Sequence, residues 1–287
     1  MAQPITEPPR RRSWPRRVLI AVIVVLVLSI GLLALVFVFQ RSLLYFPDRS
    51  DPNRASNRPD YSTDVSFTTA DGLSLHTWLF QPSGASRNVA VLFCPGNGGN
   101  RAGRAGIGTE LAAQGYTTLL LEYRGFGGNP GKPTEAGLIL DAQAAVQFLH
   151  DQGFSSNRII YAGESLGTGV AVQLATIEQP AGVLLRSPYT SMVDMAKTLY
   201  PWLPVSLLLR DRFETMSYLP SVTVPITVLA GSADELVPLS QSTTVANAAP
   251  NLFQFSVVDG AGHNDPIWGG QYMASQIDKL ARAVVAS

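Results

Sequence analysis

The 287-residue sequence holds one cysteine, Cys94, so no disulfide can form within it. A lone cysteine fits any compartment and decides nothing about redox environment. Histidine is almost as scarce: only His76, His150 and His263 occur, and neither an HExxH nor a CxxC spacing appears, which leaves no zinc-binding pattern. Charged residues make up only 15% of the chain, and 21 basic side chains balance 21 acidic ones, so there is no electrostatic footprint for nucleic acid. Internal repeats and low-complexity tracts are also missing. With no metal pattern and no cofactor motif, no cofactor is expected.

The charge that exists is unevenly placed. Residues 1–17 carry Arg10, Arg11, Arg12, Arg16 and Arg17 against Glu7 alone. Directly after them, Val18–Phe39 runs 22 residues without a charge. As a helix rising ~1.5 Å per residue, such a run reaches ~33 Å, slightly beyond the ~30 Å hydrocarbon core of a bilayer. A cleaved signal peptide is the competing reading. Its apolar region is usually only ~7–15 residues long, and the bulky FVFQRS that follows offers no small-residue cleavage site. A single-pass membrane helix is therefore expected at 18–39, with 1–17 as a basic cytoplasmic tail. The positive-inside rule then puts the amino terminus in the cytoplasm and the large domain on the opposite, extracytoplasmic face.

Residues 40–62, with Pro47, Pro52 and Pro59 among polar neighbours, read as a linker leading to a domain over 63–287. Two strand patterns, Val65–Thr68 and Leu73–Phe80, flank the hairpin signal Asp71-Gly72. Beyond them, short apolar runs alternate with helical patterns. The predicted strands are Val89–Phe93, Thr117–Leu121, Arg158–Ala162, Gly182–Leu185, Ile226–Ala230 and Phe253–Val258. Helices are expected over about 101–114, 134–152, 166–178, 239–248 and 268–286. This alternation predicts an α/β architecture with a mostly parallel central sheet covered on both faces. The stretch 190–219 breaks it with two proline-bounded, partly apolar segments, and reads as a small helical cap.

Gly163-Glu164-Ser165-Leu166-Gly167 matches the G-x-S-x-G nucleophile elbow. The strand pattern RIIYA ends just before it and a helical pattern begins just after the serine, which is the setting that motif requires. A serine hydroxyl is a weak nucleophile and needs a base. His263, in the glycine-rich DGAGH after the last strand, can bend back towards a serine. His76 alternates with Trp78 and Phe80 on one strand face and reads as structural. His150 lies in the last turn of a helix ended by Gly153, where its charge suits the helix dipole. An acid should follow a strand between Ser165 and His263. Asp234, after PITVLAGSA, fits, with Glu235 as the alternative. The order Ser…Asp…His is that of the α/β hydrolases rather than the chymotrypsin or subtilisin order. Two backbone donors for an oxyanion are expected from the N–H groups of Leu166, directly after the nucleophile, and of Asn97 in the loop CPGNGGN. Tyr123 and Arg124 lie between a strand end and a glycine-rich turn, and read as loop-fixing rather than catalytic.

Several ordered motifs resemble one known group: LLYFPD (43–48), PGNGGN (95–100), EYRGFGGNPGKPTEAG (122–137), GESLG (163–167), SPYTS (187–191), GSADELVP (231–238) and GHND (262–265). From about Leu43 to the carboxy terminus the chain is similar to the single-pass α/β-hydrolase-domain proteins. That family contains membrane-associated protein depalmitoylases and many microbial relatives. The resemblance implies the α/β-hydrolase fold, Ser165, Asp234 and His263 as a triad, and Asn97 and Leu166 as oxyanion donors. Pro95 stands where many members have histidine, and Glu122 and Asn129 where aspartate and serine are commoner; all three read as structural. The expected activity is cleavage of ester or thioester bonds through an acyl-enzyme. Its substrate would be a small-molecule or lipid-like acyl compound or an acylated protein, met at a membrane, with no nucleic-acid partner. A peptidase on the same triad and a non-catalytic tethered scaffold are the alternatives.

Overall fold

A computed structural model describes residues 14–52 and 59–285, and the chain divides into two compact units after Gln40. Most of the basic tail, part of the 40–62 stretch and the last two residues lie outside the described residues.

Helix α1 (Trp14–Leu44) is longer at both ends than the apolar run alone implies. Pro15 falls in its first turn, where a missing N–H costs nothing. No proline interrupts the helix after that. Its apolar side chains are exposed, Val22 at 58% and Leu28 at 67%, and it is long and apolar enough to cross a membrane.

The strands of the second unit start with the two-residue β1 (Phe46–Pro47), followed by β2 (Ser62–Thr68), β3 (Ser74–Phe80), β4 (Ala90–Cys94) and a second short strand, β5 (Gly98–Gly99). Next come α2 (Ala105–Ala113), β6 (Thr117–Leu120), α3 (Glu135–Asp151), β7 (Ile159–Glu164), α4 (Leu166–Ile177) and β8 (Gly182–Arg186). Three short helices follow, α5 (Met192–Leu199), α6 (Val205–Leu208) and α7 (Thr215–Tyr218), where the sequence reads as a cap. The chain ends with β9 (Ile226–Gly231), α8 (Leu239–Ala248), β10 (Leu252–Val258) and α9 (Gln271–Val284).

Eight strands form one sheet in the order β10-β9-β8-β7-β4-β6-β3-β2. The β2–β3 hairpin, turned at Gly72 with φ +86°, is antiparallel, as is the β3–β6 pair. The remaining neighbours run parallel. Strand alternation feeds two cores. Ala90, Leu92 and Cys94 of β4 join the core containing residues of α3, α4 and α8, while Val91 and Phe93 join the core with α2 and α9. Side chains such as Leu92 and Phe93 each contribute about 1.5–3 kcal/mol by leaving water.

The order of the sheet also places the site. From β4 the chain goes to β6 on one side, then to β7 on the other and outward through β8, β9 and β10. Loops leaving the carboxyl ends of β4 and β7 therefore part at this switch point and leave a crevice between them. PGNGGN follows β4, and the Gly-Glu-Ser-Leu-Gly turn follows β7.

The predicted strands and helices fall on the observed ones with small shifts at their ends. The β1–β5 pair is the exception: Phe46 pairs with Gly98 and Pro47 with Gly99, in parallel. Two residues show no periodicity, so nothing local distinguishes this strand from a linker.

Candidate active site

Ser165 joins β7 directly to α4 with φ +51° and ψ −120°, a strained conformation for a non-glycine residue. The turn is possible because its flanks have no side chains. A Cβ on Gly163 would lie 2.6 Å from the Gly167 carbonyl oxygen, and one on Gly167 would collide with the carbonyl of Cys94. The strain aims the hydroxyl out of the turn. Leu166, as the first residue of α4, has a backbone N–H with no helical acceptor behind it.

The structure brings Ser165, His263 and Asp234 together. His263 Nε2 is 3.0 Å from Ser165 Oγ, and its Nδ1 is 2.8 and 3.0 Å from the two Asp234 oxygens. With the proton on Nδ1, the ring donates to Asp234 and presents a lone pair to the serine. Asp234 also accepts from the N–H groups of Leu236 (3.0 Å) and Val237 (2.7 Å) and from Ser187 Oγ (2.8 Å). Burial opposes its ionisation, but the bonds from His263, Val237 and Ser187 outweigh it and hold the carboxyl below its ordinary value.

The neighbouring candidates go elsewhere. Glu235 accepts from the backbone N–H of His263 at 3.2 Å, so it steadies the loop and leaves the ring to Asp234. Asp259 accepts from Ser232. His76, itself exposed at the start of β3, lies 3.4 Å from Asp64. His150 contacts the Phe154 carbonyl and Glu178 at the end of α3. Arg124 is taken up by Asp71 and Asp141, and the Tyr123 hydroxyl by the Pro95 carbonyl.

The loop after β4 lies against the elbow: a Cβ on Gly96 would be 3.5 Å from Ser165 Cβ. Asn97 is the next residue of that loop. Among the described residues, no cluster of three or more His, Cys, Asp or Glu side chains could hold a metal. Cys94 is fully buried under this loop, and burial pushes its thiol up to about 12. It is therefore a poor source of thiolate.

Four side chains with no role in the sequence reading complete the site. Glu164, the variable residue before the serine, is bonded to Arg104 at 2.8 Å and to Arg186 at 3.2 Å. Burial raises its pKa, yet the two guanidinium groups win and bring it down to about 2. Arg186 Nη1 donates to the His263 carbonyl at 3.0 Å, and Arg104 Nη1 to the Gly98 carbonyl at 2.8 Å. One carboxylate thus ties the nucleophile turn to both the histidine loop and the loop after β4. Ser187 is the fourth, its backbone at φ +51° and its hydroxyl on Asp234. A local signal did exist: an arginine ends an otherwise apolar strand and a serine follows it.

A parallel sheet with a strained serine at its switch point, facing a histidine–aspartate pair, defines the α/β hydrolases. The profile of the family described as "Serine aminopeptidase, S33" matches residues 85–219. An uncharacterised protein of Mycobacterium tuberculosis is 41% identical over 266 residues, covering 92% of this chain and 95% of the relative. Alpha/beta hydrolase domain-containing protein 17B of Homo sapiens is 27% identical over 242 residues, 81% of this chain and 80% of its own. The fold is also that of the Pyrococcus furiosus esterase Pf2001, with a TM-score of 0.63 at 23% identity over 83% of this chain and 99% of the esterase. The chain belongs to the α/β-hydrolase-domain family that these relatives represent.

Proposed function

We propose that the protein is a serine hydrolase cleaving ester or thioester bonds of acyl substrates at a membrane surface. The observation that carries this reading is the unbroken line from Asp234 through His263 to Ser165, with contacts of 2.8 and 3.0 Å. Ser165 Oγ attacks the acyl carbonyl while His263 Nε2 takes its proton, and the N–H groups of Leu166 and Asn97 receive the oxyanion. Each such donor is typically worth about 2.7–4 kcal/mol in the transition state. Collapse expels the alcohol or thiol, which takes the proton from His263. Water then attacks the acyl-enzyme, giving its proton to His263, and Ser165 leaves with that proton as the carboxylic acid is released. Asp234 stays ionised throughout and stabilises the imidazolium.

An apolar acyl group suits the cap, where Tyr200, Trp202 and Leu207 are exposed at 49%, 68% and 84%. The apolar α1 and the arginines before it support single-pass anchoring with the hydrolase unit on the extracytoplasmic face. Protease protection of that unit in sealed inside-out vesicles is the expected result, and ready digestion there would reverse the orientation. The family description as a serine aminopeptidase supports a second reading, amide cleavage with His263 protonating the leaving amine. A panel of p-nitrophenyl esters, acyl thioesters and aminoacyl p-nitroanilides separates the two. Ester or thioester turnover abolished by Ser165→Ala supports the first reading; turnover of anilides alone supports the second. Absence of all turnover together with no fluorophosphonate labelling would leave a tethered scaffold.

A further inference from the structure

The LLYFPD segment, which the sequence assigns to a linker, is stitched into the hydrolase unit at almost every residue. Arg41 donates to both oxygens of Asp211, at 2.9 and 3.1 Å, and the Tyr45 hydroxyl donates to the same carboxylate at 3.1 Å. Asp211 belongs to the cap, between α6 and α7. Both Tyr45 and Asp211 are buried, at 3% and 4% exposure. The other side of the segment meets the loop after β4. Asn97 Nδ2 donates to the Leu44 carbonyl at 2.6 Å, the Phe46 N–H to the Asn97 carbonyl at 2.8 Å, and the Asp48 N–H to the Gly99 carbonyl at 3.0 Å. Asp48 is fixed in turn by Asn100 Nδ2 and by the Gly127 N–H.

We propose that Arg41–Asp48 is a brace for acyl transfer that sets the Asn97 oxyanion donor and ties it to the cap. Tyr45, Asp211 and the side chain of Asn97 are then positioning residues. This rests on the reading of the Asn97 N–H as an oxyanion donor.

The physical case lies in the composition of the loop. Gly96, Gly98 and Gly99 surround Asn97, and glycine-rich backbone is costly to hold in one conformation. An oxyanion donor must nevertheless stay within about 2.7–3.1 Å of its target, and a drift of about 1 Å can cost roughly 100-fold in rate. Three consecutive carbonyls of the loop are each held: Asn97 by Phe46, Gly98 by Arg104 and Gly99 by Asp48. Two of those three bonds come from the brace, and the Asn97 side chain adds a third tie to it. Phe46 itself is 57% exposed, so its contribution comes from its backbone and little from its ring. The same eight residues grip the cap through one buried carboxylate, so cap and oxyanion loop cannot shift independently.

Phe46→Pro removes the N–H that bonds Asn97, whereas Phe46→Ala keeps it. The full chain in lipid nanodiscs is assayed for kcat and KM on p-nitrophenyl butyrate, inhibition by a phenylboronic acid, and amide hydrogen exchange over 96–100. Phe46→Pro should lower kcat about 10- to 100-fold and weaken the tetrahedral boronate adduct in proportion, with KM within about twofold. Exchange over 96–100 should accelerate. Phe46→Ala should show none of these changes beyond about twofold. Tyr45→Phe and Asp211→Asn, which leave the backbone bonds intact, should give the same pattern at smaller size and guard against a folding defect in the proline variant. Equal loop exchange and equal kcat in Phe46→Pro and Phe46→Ala would overturn the brace. Faster exchange in a protein whose parent neither hydrolyses esters nor binds the boronate would uphold the brace and overturn the acyl-transfer reading instead.

Discussion

The nucleophile side of the site and the 190–219 cap segment are built on opposite terms. Around Ser165, the charged groups are answered by partners, Glu164 by two arginines and Asp234 by four donors, and Arg186 holds the His263 carbonyl. The cap consists of helices of 8, 4 and 4 residues, too short to be stable alone, and it exposes Leu199, Tyr200, Trp202 and Leu207. Buried side chains such as Met195 and Phe213 hold it to the core, and a few polar anchors add to them. Ser191 caps α5, Glu135 accepts from the Arg212 and Phe213 N–H groups, and Asp211 holds Arg41 and Tyr45. Acyl-transfer chemistry needs fixed distances, whereas acyl-chain selection needs apolar surface that can adjust. On the function proposed above, the two regions divide those two demands between them.

Substitutions on the two sides should differ in kind as well as size. Ser165→Ala is expected to cost about 10⁴–10⁶-fold in kcat on any substrate the enzyme turns over, measured by steady-state hydrolysis. Asp234→Asn should follow at about 10⁴-fold, because the amide favours the wrong imidazole tautomer. Glu235→Gln should cost far less, since Glu235 meets only the backbone of His263.

Glu164→Gln probes the frame itself. It leaves Arg104 and Arg186 facing a neutral amide and should destabilise the fold by about 3–5 kcal/mol in urea unfolding. The pH dependence has a definite sign. The native carboxyl is depressed to about 2 from an ordinary 4.5, so its stabilisation is complete above 4.5 and is lost as pH falls towards 2. The gap between parent and variant should therefore narrow over that interval. A constant gap would place the stabilisation in packing.

Leu207→Ser, at the most exposed apolar cap position, should change stability by no more than about 0.5 kcal/mol. Its effect should appear in KM, and should grow with acyl-chain length. A chain-length profile identical to the parent's would remove the cap from substrate selection.

The unequal terms also explain what could be read from the sequence. The parallel sheet, its hairpin and the elbow are local patterns, each written in a few adjacent residues, and the fold follows from them. His263 could be preferred because His76 and His150 had plain structural alternatives. Asp234 and Glu235 are adjacent and chemically alike, so only the three-dimensional course of the loop separates the one on Nδ1 from the one on the backbone N–H. Glu164, Arg186 and Ser187 are hard to assign from sequence because their partners lie 22 to 77 residues away, the longest separation being that of Arg186 and His263. The brace was the least legible. Prolines and polar residues make 40–62 look like a free linker, and a two-residue strand has no period to detect.

The most direct test of the site is intact-mass and peptide mapping of the protein after a fluorophosphonate probe and, separately, after a pre-steady-state pulse of p-nitrophenyl ester. A single phosphonyl adduct and a transient acyl adduct, both on Ser165, are expected, with labelling lost in Ser165→Ala and strongly slowed in His263→Ala. Adducts on another residue, or equal labelling in Ser165→Ala, would contradict the assignment of Ser165 as the nucleophile.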